Sequence, residues 1–208
     1  MRPVLPLSVL ALVLAIGACS AARAVEEGEE VATEAIDAMQ PDTEPAGAAR
    51  AIPPSGDSRM DGYGTLDFGM TADEAREAWN GNPLEPAADA AGDTMACHHL
   101  GPAGQSTPAQ LAFMFEDDLF VRYSVESDEI TAPGGGRVGM DEATLQGLYG
   151  KSLEASAHKY VEGGKILASP QDGGALPSIL VFELDPAGVV TSWRVGLSPQ
   201  VHYVEGCS

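Results

Sequence analysis

The chain has 208 residues, with 31 Asp and Glu against 11 Lys and Arg, for a formal net charge of −20 at pH 7. Such an acidic balance leaves no basic stripe to displace the counterions of a nucleic acid and opposes docking on anionic lipid headgroups, so nucleic acid is excluded as a partner and a cationic or calcium-bridged one is favoured. The same acidity also keeps an exported domain soluble.

The first element in chain order is a leader. Met1-Arg2 supplies one positive charge, and Val4 to Ile16 is apolar except for Pro6 and Ser8. A bilayer span needs about 20 apolar residues, so this run is too short to cross and has the length of a signal-peptide core. It ends in Ile16-Gly17-Ala18-Cys19, which resembles the lipobox of bacterial lipoproteins. The resemblance implies a signal peptide over 1–18, cleavage before Cys19 and lipidation of Cys19, with diacylglyceryl and palmitate chains as the membrane anchor. If the chain is a Gram-negative lipoprotein, the same resemblance implies, from Ser20 in place of Asp, sorting to the outer membrane on its periplasmic side. The alternative is an ordinary secretory signal cut near Ala18 or Ala22.

Residues 19–60 read as an acidic tether. Val25, Val31, Ile36, Met39 and Ile52 are its main large apolar residues, too few to offset the entropy of ordering the backbone. A short helix over Glu29–Gln40, stopped by Pro41, is the alternative.

The remaining chain supports one ordinary core and divides into halves, 61–133 and 134–208. Gly69-Met70-Thr71 matches Gly139-Met140-Asp141, and the same spacing pairs Trp79 with Tyr149. Thr71 and Asp141 are expected helix N-caps, Thr71 with Glu74 at capping-box spacing. Ala75, Ala78 and Trp79 in the first helix, and Leu145, Leu148 and Tyr149 in the second, have the spacing of one buried face. Strands follow in each half: Met95–Leu100, then a hairpin over Leu111–Val125; then His158–Val161, Lys165–Ser169 and a hairpin over Ser178–Val195. Glu116 is aligned with Glu183 and Tyr123 with Trp193, and Pro133 with Gly134-Gly135-Gly136 forms the joint. The expected class is α+β: two tandem repeats of a short helix and an antiparallel meander, with the helices on one sheet face.

These stretches, "FGMTADEAREAW" and "VGMDEATLQGLYG", each followed by a hairpin, resemble the helix opening of small outer-membrane lipoproteins of the BamE (SmpA/OmlA) type. The doubled arrangement resembles the related β-lactamase-inhibitor-protein fold, which also has two such units. The resemblance implies a protein-binding sheet or scaffold, and it carries over no functional residue.

The three cysteines leave an even pair once Cys19 is lipidated, and Cys97 with Cys207 is expected to form a disulfide in an oxidising compartment. Two free thiols or a metal site is the alternative. His98, His99, His158 and His202 lack zinc-ligand spacing, so no metal and no cofactor is expected. Gly163-Gly164-Lys165 lacks the earlier glycine and the hydroxyl of a phosphate loop and reads as a hairpin turn. Asp117-Asp118 and Asp128-Glu129 read as solvated turn residues. No catalytic constellation emerges, so the expected role is non-catalytic binding or scaffolding of another envelope protein. Inhibition of an extracellular hydrolase, or glycan or peptidoglycan binding, are the alternatives. Tyr160, Tyr203 and Trp193 are the candidate binding surface; in the other reading Tyr123 and Trp193 are core residues facing the helices.

Overall fold

The structure is a computed structural model that describes residues 57–87, 93–94, 96–107, 109–171 and 174–207. The leader, Cys19 and the tether up to residue 56 lie outside the described residues.

The fold opens with a small ribbon, β1 (Ser58–Arg59), β2 (Gly62–Tyr63) and β3 (Leu66–Asp67). It begins ahead of the Asp61 start expected from composition. Tyr123 donates its hydroxyl to Arg59 O at 2.8 Å, Ser178 donates to Met60 O, and Arg59 pairs with Asp61 and Asp67. Long-range partners therefore recruit residues whose local composition is tether-like.

The first half continues as α1 (Ala72–Ala78), β4 (Leu84–Pro86), β5 (Cys97–Pro102), β6 (Leu111–Glu116) and β7 (Leu119–Val125). The second runs α2 (Glu142–Tyr149), β8 (Glu154–Ala157), β9 (Lys165–Ala168), β10 (Ser178–Leu184) and β11 (Val190–Leu197). Among the described residues, the eight strands from β4 onward join one antiparallel sheet in the order β4-β5-β6-β7-β11-β10-β9-β8. The chain is thus a sheet-dominated α+β protein, and the last strands of the two halves meet at its centre, with Tyr123 opposite Val195 and Val125 opposite Trp193.

The helix starts follow from their caps. Thr71 Oγ1 accepts from the Glu74 N–H at 3.2 Å while the Glu74 carboxylate accepts from the Thr71 N–H at 2.8 Å, a reciprocal capping box. Asp141 accepts from the Thr144 N–H at 2.7 Å, and α2 stops at Gly150 with φ +62°. Helices of two turns are marginal alone; burial of Ala72, Ala75, Trp79 and Leu145 on one sheet face holds them. Leu148, expected on that buried face, is 47% exposed. The i, i+4 pair Leu145 and Tyr149 packs on the core, and Leu148 turns outward beside Gly135. Tyr149 also clamps the joint, donating to Pro133 O at 2.7 Å and accepting from the Gly136 N–H at 2.9 Å.

Each helix opening is stitched to the last strand of its own half by the same pair of bonds. The Gly69 N–H donates to Phe120 O at 2.9 Å and the Phe120 N–H to Met70 O at 2.8 Å. In the second half the Gly139 N–H donates to Val190 O and the Val190 N–H to Met140 O, both at 2.9 Å. The hairpins also share a register shift, at Met114/Phe115 and at Glu183/Leu184. That register aligns Glu183 with Met114, correcting the alignment of Glu183 with Glu116, because the second hairpin has the longer turn. The first hairpin turns in two residues, Asp117 and Asp118, both at positive φ.

One expected strand is displaced. Residues 158–161 form the turn between β8 and β9, and the ladder with β9 runs instead from Glu154↔Ala168 to Ala157↔Lys165. Gly163, at φ +77°, and the bond from the Gly164 N–H to Val161 O complete a hairpin turn.

Candidate functional site on the outer sheet face

Strand alternation sends Leu111, Phe113 and Phe115 of β6, Tyr123 and Val125 of β7, and Trp193 and Val195 of β11 to the helix-covered face. Trp193 is fully buried there, edge-on to Tyr123 at 5.7 Å between ring centroids. This corrects its place in the candidate binding surface: a large apolar ring at an inward position of a central strand is core.

The opposite face carries the polar chemistry. His99 of β5, Glu116 of β6, Arg122 of β7, Glu183 of β10 and Ser192 and Arg194 of β11 project there, and the C-terminal segment after Leu197 crosses over His99, Glu116, Arg122 and Arg194 as a strap. Arg122 Nη1 donates to Gln200 O at 2.9 Å and to Tyr203 O at 2.7 Å. Arg194 Nε donates to Val201 O at 2.5 Å, and Gln200 donates its amide to Glu116. Cys207 closes the strap through a disulfide to Cys97, with 5.5 Å between the Cα atoms. Leu197, Tyr203 and Cys207 pack on Cys97, Met114 and Val121. Gly196 makes room for this arrangement, since a Cβ there would stand 2.8 Å from the Arg122 Cβ across the ladder.

Arg122 and Arg194 are 5% and 6% exposed. Burial, with the charge of Arg194 second, pushes the Arg122 guanidinium down to about 9, and Glu183 works against that shift. Two buried cations are thereby satisfied mainly by strap carbonyls and by one carboxylate, which ion-pairs with Arg194. Burial raises the Glu183 carboxyl, but Arg194 and the hydrogen bonds from Arg194 and His158 outweigh it, leaving it below its ordinary value of 4.5. A carboxylate depressed in the folded state contributes stability that is present above the unfolded pKa and is lost as pH falls through the folded one. Glu183→Gln is therefore expected to lower stability at pH 7 by about 2 kcal/mol, the partial exposure of the pair discounting the usual cost of breaking a buried one. It should also flatten the fall in stability below about pH 4.5, read as urea midpoints from pH 7 to 3.

Ser192, His158 and Glu183 have the residue types of a hydrolytic triad but different wiring. Ser192 Oγ donates to Glu183 at 3.3 Å, and His158 Nε2 lies 3.4 Å from the same carboxylate oxygen. His158 Nδ1 accepts from the Tyr160 and Val161 N–H groups, each at 3.1 Å. With Nδ1 occupied and Nε2 turned to Glu183, the imidazole does not face the serine as a base. The cluster organises the β8–β9 turn instead.

The expected surface aromatics do not converge. Tyr160 is 51% exposed in the β8–β9 turn under Lys159 Nζ, Tyr203 packs beside the disulfide, and Trp193 faces the core. Cys97 and Cys207 do come together as expected. Arg122, Arg194 and Glu183 carry no local signal of this role, because polar residues at outward strand positions read as solvent-facing. The disulfide held the missing signal, since a chain returning from β11 to β5 must cover whatever projects between them. Among the described residues no helix is long and apolar enough to cross a membrane.

No family model and no curated protein matches the sequence. A solved structure of an extracellular protein containing a SCP domain, from Bacillus anthracis str. Ames, aligns at 10% identity and a TM-score of 0.40, covering 73% of this chain and 49% of that one. Likeness at that level carries no argument about fold or function.

Proposed function

We propose that this chain is an exported, lipid-anchored protein of the cell envelope, non-catalytic, that binds another envelope protein by taking an extended segment of it onto the β8 edge of its sheet. The observation that carries this reading is β8 itself. All four of its residues, Glu154-Ala155-Ser156-Ala157, are exposed, and β8 ends the eight-stranded sheet. Edge strands are usually guarded by proline, lysine, a bulge or a covering loop. The other edge, β4, ends in Pro86, whereas β8 contains neither proline nor lysine. The bond from the His158 N–H to Gly164 O turns residues 158, 156 and 154 toward β9. By alternation Ala155 and Ala157 then offer their N–H and C=O groups outward, the arrangement that β-strand addition uses. The acidic chain favours a cationic segment as the added strand.

The disulfide suits an oxidising compartment, and the lipobox-like residues before Cys19 supply the anchor in this reading. The two helix-and-meander halves are taken as tandem copies of one module of the BamE or β-lactamase-inhibitor-protein type, a reading that the paired stitches at Gly69 and Gly139 support.

Ala155→Pro tests the edge, because it deletes an outward N–H and leaves the β9 ladder its bonds. In membranes, a photo-crosslinker at Ser156 should capture one repeatable partner in the parent protein and lose it with Ala155→Pro, while the melting temperature stays within about 2 °C. A partner that survives the proline refutes the edge, and capture of abundant background proteins alone refutes the binding role.

A further inference from the structure

The Cys97–Cys207 bond sits inside a donor set that cross-linking alone does not require. His99 is two residues from Cys97 on β5 and so shares its outer face, and it is 8% exposed. Its Nδ1 lies 2.7 Å from Asp93 Oδ1 and 3.8 Å from Cys207 Sγ. Asp93 is fixed in that position because its second oxygen, Oδ2, accepts the His99 backbone N–H at 2.9 Å. The Asp93, His99 and Cys207 donor atoms all lie within 4.8 Å of one another, and Cys97 Sγ is bonded to the last of them. Gly206, at φ +69°, lets the strap pass close over the imidazole, where a Cβ would stand 3.0 Å from His99 Cε1.

We propose that reduction of this disulfide converts the cluster into a tetrahedral site for a zinc-class divalent cation, with Cys97, Cys207, His99 and Asp93 as its four ligands. Zinc takes thiolate sulfur at about 2.3 Å and imidazole nitrogen or carboxylate oxygen at about 2.0–2.2 Å, which places tetrahedral ligand atoms about 3.3–3.8 Å apart. The separation of His99 Nδ1 from Cys207 Sγ, 3.8 Å, is already close to the nitrogen–sulfur spacing of such a site, about 3.6 Å. The two sulfurs, freed from each other, separate by side-chain rotation over a Cα–Cα distance of 5.5 Å. The aspartate and imidazole open slightly from their hydrogen bond.

A dithiol reductant gives two electrons and two protons, cleaving the S–S bond to two thiols and itself closing to a disulfide. The metal then takes both thiolates and releases those two protons, while the imidazole proton moves from Nδ1 to Nε2. Two soft sulfurs select zinc, cobalt or cadmium over magnesium and calcium. Coordination would hold the strap to β5 in place of the covalent bond.

The test uses the full chain carrying Cys19→Ser, so that Cys97 and Cys207 are its only thiols. After reduction with a phosphine, cobalt(II) should bind one per chain with thiolate charge-transfer bands and the visible bands of a tetrahedral ion. Zinc should displace it, and the oxidised chain should bind none. His99→Gln and Asp93→Asn should each weaken cobalt binding at least about tenfold. A reduced, folded chain that takes up no cobalt overturns the proposal, as does binding indifferent to both substitutions. If reduction alone unfolds the chain, zinc must restore the native circular dichroism, and failure to do so overturns it equally.

Discussion

Trp193→Ala is expected to cost about 3–5 kcal/mol of stability, a shift in melting temperature of roughly 10 °C for a domain of this size. The ring is fully buried on β11, next to the strand pairing that joins the two halves, and it meets Tyr123 edge-on. Alanine leaves a cavity that neither hairpin can collapse into without breaking the register of β7 with β11. Trp193→Phe should cost much less, since the buried indole Nε1 has no hydrogen-bond partner among the described residues and phenylalanine removes that orphan donor. Urea unfolding of both variants decides the matter: an alanine variant as stable as the parent would return Trp193 to the surface.

Removing the cross-link with the double substitution Cys97→Ala, Cys207→Ala is expected to cost about 4–5 kcal/mol by the chain-entropy model, because the closed loop spans 110 residues. Part of that loss should appear locally before it appears globally. Without the bond the strap is held by carbonyls on Arg122 and Arg194 and by Gln200 on Glu116, and water competes for all of these groups once an end is free. Amide hydrogen exchange over residues 200–204 should therefore quicken more than exchange over β6 or β10. Equal protection across strap and sheet would mean that the polar contacts alone secure the C-terminal segment.

The local chemistry of the fold was legible where it is carried by nearby residues. Thr71 with Glu74, Asp141 with Thr144, and the Asp117-Asp118 turn announce themselves because the groups they satisfy lie within three residues. The displaced strand shows the limit of that logic. Tyr160 and Val161 look β-forming, and Glu154–Ala157 does not, yet pairing with β9 selects the latter, since strand identity depends on the neighbour more than on propensity. Leu148 was assigned to the core by spacing, and the packing of a two-turn helix uses only one of its ridges. The strap was least legible of all. Arg122 meets its acceptors about 80 residues later in the chain, at Gln200 and Tyr203, a relation that no window of sequence contains.

The pairing of β7 with β11 also sets an order of events. β7 finds β6 across a two-residue turn, but its other edge waits until β11 has emerged, some 70 residues on. During that interval the growing chain displays Arg122-Tyr123-Ser124-Val125 with an open row of amides and carbonyls. Two such half-made molecules can satisfy each other, one lending its late hairpin to its neighbour's early one, so crowding during synthesis favours interlocked dimers over tangled aggregates.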